Sequence, residues 1–267
     1  MDNNNRKRQN LFLVLAGIFL TNAILAEMIG VKIFSLEKSL GFRPANIEML
    51  GDFVLDFNLT AGAVIWPVVF ITTDIINEYF GKRGVRKLSF LAAACISYAF
   101  IVIYIITDLA PADFWLEVND TDNEGNYFNI NFAFSKIFTQ GLGIIVGSLT
   151  AFLIGQFLDV AVFQRLRKIT GSKMIWLRAT GSTLISQLID SFVVLGIAFY
   201  ILAPDDSRWS LQQLISVGTI NYIYKFIVAI ALTPLIYLGH YLIDRYLGKE
   251  LAEQMTTEAS NQDFIGE

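Results

Sequence analysis

Apolar residues dominate six stretches of the chain, at about residues 11–33, 59–80, 88–109, 134–158, 179–202 and 217–241. A hydrocarbon core of roughly 30 Å is crossed by about 20 helical residues rising 1.5 Å each, and every stretch is long enough. The pattern predicts an all-α integral membrane protein with six transmembrane helices, residues 1–247 forming one transporter-sized membrane domain. The polar residues 248–267 predict a disordered C-terminal tail. Between the first two runs, alternating apolar positions near Phe53, Leu55 and Phe57 predict a short hairpin capping the outer face.

Composition supports this picture. Of 267 residues, 54% are hydrophobic and only 16% charged, and the mean hydropathy is +0.53, outside the range of soluble domains. The one cysteine, Cys95, excludes an intrachain disulfide, and with a single histidine, His240, metal sites built on two histidines are excluded. No cofactor is expected. The N-terminal "NRKRQNLFLVLAGIFLTNAILAE" has the basic head of a signal peptide, but its apolar part is longer than such a segment needs, so it is read as the first span.

Charge orients the spans. Lysine and arginine gather in the N-terminal tail (Arg6, Lys7, Arg8), after the second run (Lys82, Arg83, Arg86, Lys87), after the fourth (Arg165, Arg167, Lys168, Lys173, Arg178) and in the C-terminal tail (Arg245, Lys249). The intervening loops hold only Lys32, Lys38, Arg43 and Arg208. Basic loops stay in the cytoplasm, so both termini are expected there. The acidic stretch over residues 110–133 then lies outside, and its turn-forming "NDTDNEGN" lacks the spacing of a calcium loop.

Polar side chains within the spans carry the chemistry, because a charge at the bilayer centre costs about 2.5–3.5 kcal/mol and normally faces a cavity or a partner. In "ITTDIINEYFGKRGVRK" the second run carries Thr73, Asp74 and Glu78. Glu78 is read as boundary electrostatics, within reach of Lys82, and the deeper Asp74 as a ligand group. The fifth run places Thr183, Ser186, Gln187 and Asp190 on one stripe. The sixth places Asn221 and Lys225 one turn apart, with Lys225 at the depth to pair with Asp190. Asn22 in the first run and Gln156 in the fourth, three residues before Asp159, complete the amides. Glu27 is read as snorkelling to water, and Gly147 and Gly155 as close-packing positions. Trp66, just before Pro67, is the aromatic placed beside a planar ligand. The inventory of amides, carboxylates and aromatic rings suits a small planar molecule with several donors and acceptors. The substrate-binding candidates are therefore Asn22, Trp66, Thr73, Asp74, Gln156, Gln187, Asp190, Asn221 and Lys225.

Four motifs, "TTDIINEYFGKRGVRK", "IGQFLDVAVFQRLRK", "GSTLISQLIDSF" and "NYIYKF", resemble in order and spacing the queuosine precursor transporter family, also called the vitamin uptake transporter family. The resemblance implies a six-helix bacterial inner-membrane protein, multi-pass, importing a 7-deazaguanine such as 7-cyano-7-deazaguanine for synthesis of the tRNA nucleoside queuosine. Expected partners are a small planar heterocycle and the lipid bilayer, and no nucleic acid; a homo-oligomer or separate energising subunits stay open. No GxxxxGK[ST] phosphate loop is present, so the chain is not its own ATPase. An alternative is the substrate-binding subunit of an energy-coupling-factor vitamin importer, which the six-helix size also resembles. An intramembrane hydrolase is disfavoured. His240 is remote in sequence from Ser182 and Ser186, and Asp74 and Asp190 lack the YD and GxGD contexts of aspartyl dyads.

Overall fold

The computed structural model describes residues 3–30, 32–49, 53–138, 142–170, 174–203, 205–206 and 208–262. It is predominantly helical, and five helices are long and apolar enough to cross a membrane: Asn3–Ile29, Gly62–Thr107, Gly147–Thr170, Ala179–Ile201 and Leu211–Ala231. Helix α1 (Asn3–Ile29) buries Leu11, Leu15, Phe19, Ala23 and Ala26 at three- and four-residue spacing and packs along α3 (Gly62–Thr107). Its other face is apolar too, with Leu13, Val14, Ile18 and Leu25 exposed. A helix apolar on both faces has lipid as its outer solvent.

The connection between α1 and α3 holds a four-residue helix, α2 (Leu36–Ser39), and four short strands: β1 (Ile33–Ser35), β2 (Ile47–Met49), β3 (Phe53–Leu55) and β4 (Asn58–Thr60). Strand β1 pairs antiparallel with β4, setting Ile33 opposite Thr60, and β2 pairs with β3, setting Ile47 opposite Leu55. The fold is thus helical with a small β cap rather than purely α. The hairpin expected around Phe53 and Leu55 forms, and β1 with β4 ties the end of α1 to the start of α3.

Helix α3 has 46 residues and would reach about 70 Å if straight, over twice a hydrocarbon core. It is broken at Gly81, whose φ of 68° and ψ of −172° are non-helical and lie in a region essentially restricted to glycine. The break frees backbone groups, and one side chain from the far end of the chain takes them up. Gln262 donates from Nε2 to the Phe80 carbonyl at 3.1 Å and accepts from the Arg83 N–H at 3.0 Å. A Cβ at residue 81 would stand 2.5 Å from Gln262 Oε1.

Three expectations change. Residues 249–260 are not disordered: they form α10 (Lys249–Ser260), which buries Leu251, Ala252, Met255 and Ala259 against α3. A spacing of 1, 3 and 4 residues makes an apolar stripe within a polar composition, and composition alone concealed it. Residues 263–267 of that tail lie outside the described residues. Described residues of the fourth run lie in α5 (Ile130–Phe138) and α6 (Leu142–Thr170), and because α6 continues to Thr170, Arg165, Arg167 and Lys168 are helical rather than in a loop; Lys173 lies outside the described residues. The sixth run is two helices, α8 (Leu211–Ala231) and α9 (Thr233–Leu247). Pro234 in the first turn of α9 cannot continue the preceding helix, because it lacks an N–H and its ring clashes with the turn before it.

The remaining elements are α4 (Asp113–Val118) in the acidic loop and α7 (Ile175–Leu195), which continues as a π-helical segment over Gly196–Ile201. Helix α6 packs along α7, and α7 along α8. Gly147 allows part of the first contact: a Cβ there would lie 3.3 Å from the Val194 carbonyl and 3.4 Å from the Ala198 nitrogen. Both chain ends meet at one pole, where Arg8 pairs with Glu258 at 2.8 Å and Lys7 donates to the Leu247 carbonyl at 3.1 Å.

Gly81→Ala is expected to destabilise the fold by about 1–3 kcal/mol from backbone strain alone. It would also displace Gln262 from the break. The check is the thermal unfolding midpoint of the purified protein, which should fall for Gly81→Ala and fall by less for Gln262→Ala.

Candidate substrate cavity

A cavity of about 220 Å³ lies among α1, α3, α6, α7 and α8. Drug-sized ligands occupy sites of about 300–1,000 Å³, so this one suits a single small ring system. Its wall combines aromatic groups (Trp66, Phe70 and Tyr224) with polar ones from four helices: Glu27 from α1, Asp74 from α3, Gln187 and Asp190 from α7, and Asn221 and Lys225 from α8. The rings of Trp66 and Phe70 stack, with centroids 5.7 Å apart and planes at 19°.

Asp74 is 2% exposed and lines the cavity, and its buried Oδ1 has no hydrogen-bond partner. Gln187 is 3% exposed, and its Oε1 is unpartnered in the same way. Buried polar atoms in native proteins are nearly always hydrogen-bonded, so the two unpartnered acceptors single out these residues among those that line the cavity. Asp190 is not free: Lys225 Nζ donates to its Oδ2 at 2.5 Å, with both side chains about one-fifth exposed. The ion pair expected between the fifth and sixth runs thus borders the cavity. Asn221 donates from Nδ2 to the Val217 carbonyl one turn back, at 3.0 Å.

Six of the nine sequence candidates line the cavity: Trp66, Asp74, Gln187, Asp190, Asn221 and Lys225. Thr73 and Gln156 stand behind the wall. The Thr73 hydroxyl bridges the Val69 carbonyl at 2.8 Å and Gln156 Oε1 at 3.3 Å, which joins α3 to α6. Their polarity joins the two helices, and neither side chain is among those that line the cavity. Asn22 also falls away, because its amide donates to the Ile18 carbonyl at 2.8 Å and its side chain is not part of the wall. A mid-helix amide can satisfy itself on its own preceding turn, and helical position alone did not reveal that.

Glu27 was underestimated. Rather than reaching for water, it lines the cavity and takes the Ser148 hydroxyl at 2.7 and 2.6 Å from its two oxygens. The available signal was that Glu27 follows Ala23 by one turn on the small-residue face of α1, which packs inward.

Towards the pole carrying both chain ends, a polar plug backs the cavity. Glu78 finds a cation from another helix, Arg167 of α6, at 3.5 Å, and both side chains are buried. Arg167 also donates to the carbonyls of Glu78 at 3.2 Å, Asn77 at 3.4 Å and Thr256 of α10 at 2.5 Å. Gln164 donates to Asn77 at 2.6 Å, and Tyr79 donates to Asp244 at 2.6 Å.

With this geometry in view, the sequence comparisons can be placed on it. The profile of a family described as a putative vitamin uptake transporter matches residues 60–239, which include every cavity-lining candidate. The chain belongs to that family. It is 32% identical over 202 residues to a protein of Bacillus subtilis named a probable queuosine precursor transporter, covering 74% of this chain and 80% of that one. It is 29% identical over 177 residues to a queuosine precursor transporter of Escherichia coli, covering 66% and 70%. A probable queuosine precursor transporter of Haemophilus influenzae is 30% identical over 176 residues, 66% of each. No solved structure matches. Membership makes the chain a transporter rather than an enzyme, and with its long apolar helices a multi-pass protein of the bacterial inner membrane. Glu27 and Asn22 precede the segment that the family profile matches.

Replacing Asp190 by Asn or Lys225 by Met is expected to lower stability, because each single change strands the opposite charge at a low-dielectric wall. The double variant should recover part of the loss. A double-mutant cycle on thermal unfolding should return a coupling energy of about 0.5–3 kcal/mol.

Proposed function

We propose that this transporter imports a queuosine precursor, a 7-deazaguanine such as 7-cyano-7-deazaguanine, across the inner membrane for tRNA queuosine synthesis. Three relatives bear queuosine precursor transporter names. The observation that carries the reading is the pair of unpartnered acceptors, Asp74 Oδ1 and Gln187 Oε1, in one wall beside the stacked Trp66 and Phe70. The guanine-like edge offers adjacent N–H donors for a carboxylate, the ring system offers a face for stacking, and Lys225 and Asn221 stand on the α8 side for its carbonyl and ring nitrogens.

The membrane arrangement that fits this activity has six spans. The break at Gly81 divides α3 into segments of about 29 and 39 Å, each sufficient for one crossing. An even number of crossings returns the C-terminal pole to the side of the N-terminus, in keeping with the Arg8–Glu258 pair. The basic residues between Lys82 and Lys87 support the cytoplasm as that side. Bonds from Thr73 to Gln156 and from Asn77 to Gln164 advance in the same direction on both helices, as they should if the second and fourth crossings both run inward.

The deciding experiment is restoration of queuosine in the tRNA of a cell unable to make or import its precursor. Expression of this chain should restore the modification. Asp74→Asn should raise the half-saturating precursor concentration about tenfold or more, as loss of a hydrogen bond to a charged group worth about 1.5–3 kcal/mol implies, and Gln187→Leu about two- to tenfold, as loss of a neutral one worth about 0.5–1.5 kcal/mol implies. Normal uptake by both variants, correctly inserted, would rule out this site. Uptake by the purified chain in liposomes would exclude an obligate energising partner.

A further inference from the structure

The substrate cavity carries a carboxylate towards each end. Asp74 stands on the side of the chain termini, and Glu27 stands on the side of the β cap, where Gly30 and Thr60 line the same space. Two sets of contacts give their separation. Ser148, which donates to Glu27, precedes Gln156 by eight residues on α6, about 12 Å of helix at 1.5 Å per residue. Gln156 in turn bonds to Thr73, the residue before Asp74. From the other flank, a Cβ on Gly62 would stand 2.5 Å from the Ala26 carbonyl, and Gly62 precedes Asp74 by twelve residues, about 18 Å. Phe12 of α1 meets Phe80 of α3 with ring centroids 5.0 Å apart, so the two helices run antiparallel. Side chains tilt towards the N-terminus of their own helix, which here inclines Glu27 and Asp74 towards each other, and the contacts agree on about 12 Å along the cavity.

Between the two acids α3 presents Trp66 and Phe70, one and two turns after Gly62, as the stacked pair of the wall. Asp190 is engaged, because Lys225 donates to it. Glu27 takes one hydrogen from the Ser148 hydroxyl, whereas an ionised carboxylate offers about four lone-pair sites. It therefore keeps capacity for a further donor.

With the guanine-like edge of a 7-deazaguanine on Asp74 and its rings beside Trp66 and Phe70, the substituent at position 7 leaves from the five-membered ring, towards Glu27. A nitrile nitrogen there has a lone pair and no hydrogen, and it meets the carboxylate as acceptor against acceptor. An aminomethyl group is an ammonium at neutral pH, as a lysine is, and brings a positive charge and three donors. A two-ring base with a one-carbon amine arm spans about 8 Å between its outermost nitrogens at bond lengths of about 1.3–1.5 Å. Charge-assisted hydrogen bonds of about 2.8 Å at both ends extend that reach to about 13 Å, which matches the spacing of the acids. The ammonium also offsets a carboxylate charge in a wall of low dielectric, and a neutral base does not.

We propose, resting on the substrate reading above, that Glu27 held by Ser148 reads the substituent at position 7, and that the cavity selects a 7-deazaguanine with a short, positively charged amine arm over its nitrile counterpart. A volume of about 220 Å³ suits a short arm rather than a second ring system. Glu27 precedes residues 60–239, which the family profile matches, so membership does not by itself predict this preference.

The test is equilibrium binding of labelled 7-aminomethyl-7-deazaguanine and 7-cyano-7-deazaguanine to the purified full chain in lipid nanodiscs. The aminomethyl form should bind about tenfold or more tightly, the effect of one hydrogen bond to a charged group. Glu27→Gln should remove that preference, whereas Asp74→Asn should weaken both forms by a similar factor and leave their ratio in place. Equal or tighter binding of the cyano form to the unmodified protein overturns the proposal, and this outcome needs no variant to fold. A preference that survives in Glu27→Gln overturns it as well. Equal binding of both forms leaves the substrate reading standing and removes only the role of Glu27; failure of both forms to bind removes the two together.

Discussion

The polar seam between α3 and α6 is the contact on which the rest of the molecule depends. In lipid, apolar side chains gain little by leaving one hydrocarbon surface for another, so helices associate through close packing and hydrogen bonds. Three rungs join these two helices, Thr73 to Gln156, Asn77 to Gln164 and Glu78 to Arg167. They fix the rotation of α3, and with it the direction in which Asp74 points. A turn of α3 away from α6 would carry Asp74 out of the cavity wall and leave Arg167 buried without its carboxylate. The site is therefore positioned by residues outside the cavity wall.

This explains how much of the site could be read from the sequence. Depth and polarity identified the groups that lipid will not tolerate, and those groups turn inward. They do not say whether a given group turns to a cavity or to another helix. Asp74 and Thr73 are neighbours in sequence, yet one faces open space and the other a glutamine. The pairing of Asp190 with Lys225 was legible because the two charges stand at similar depth on successive spans. Arg167 as the partner of Glu78 was not, because helix α6 extends beyond its apolar run and carries basic residues that looked like loop charges.

The ends of the helices were less legible for a related reason. Apolar runs report where lipid lies, and they continue across a break whose chemistry is local. The sixth run hid the restart at Pro234. Helix α10 shows the converse case. Its composition is polar, but four inward residues and Gln262 beyond its end hold it against α3. Gln262 acts on the α3 break as an inserted peptide unit would, offering one donor and one acceptor to the two backbone groups that the kink exposes.

On the topology proposed above, the plug below the cavity must part for anything in it to reach the cytoplasm, and its construction bears on how readily it can. It is held by several separate bonds, and interhelical hydrogen bonds in membranes average only about 0.6 kcal/mol each, up to about 1.7. Arg167 contributes bonds to backbone carbonyls on α3 and α10 as well as its ion pair, so several small terms must be lost together. At that average, the six bonds of the plug sum to about 4 kcal/mol. A ligand must bind one state about 5.5 kcal/mol more tightly to convert a 1:99 population into 99:1. A set of bonds of this total strength lies within the range that the differential binding of one small molecule can offset, because its terms are small and separate.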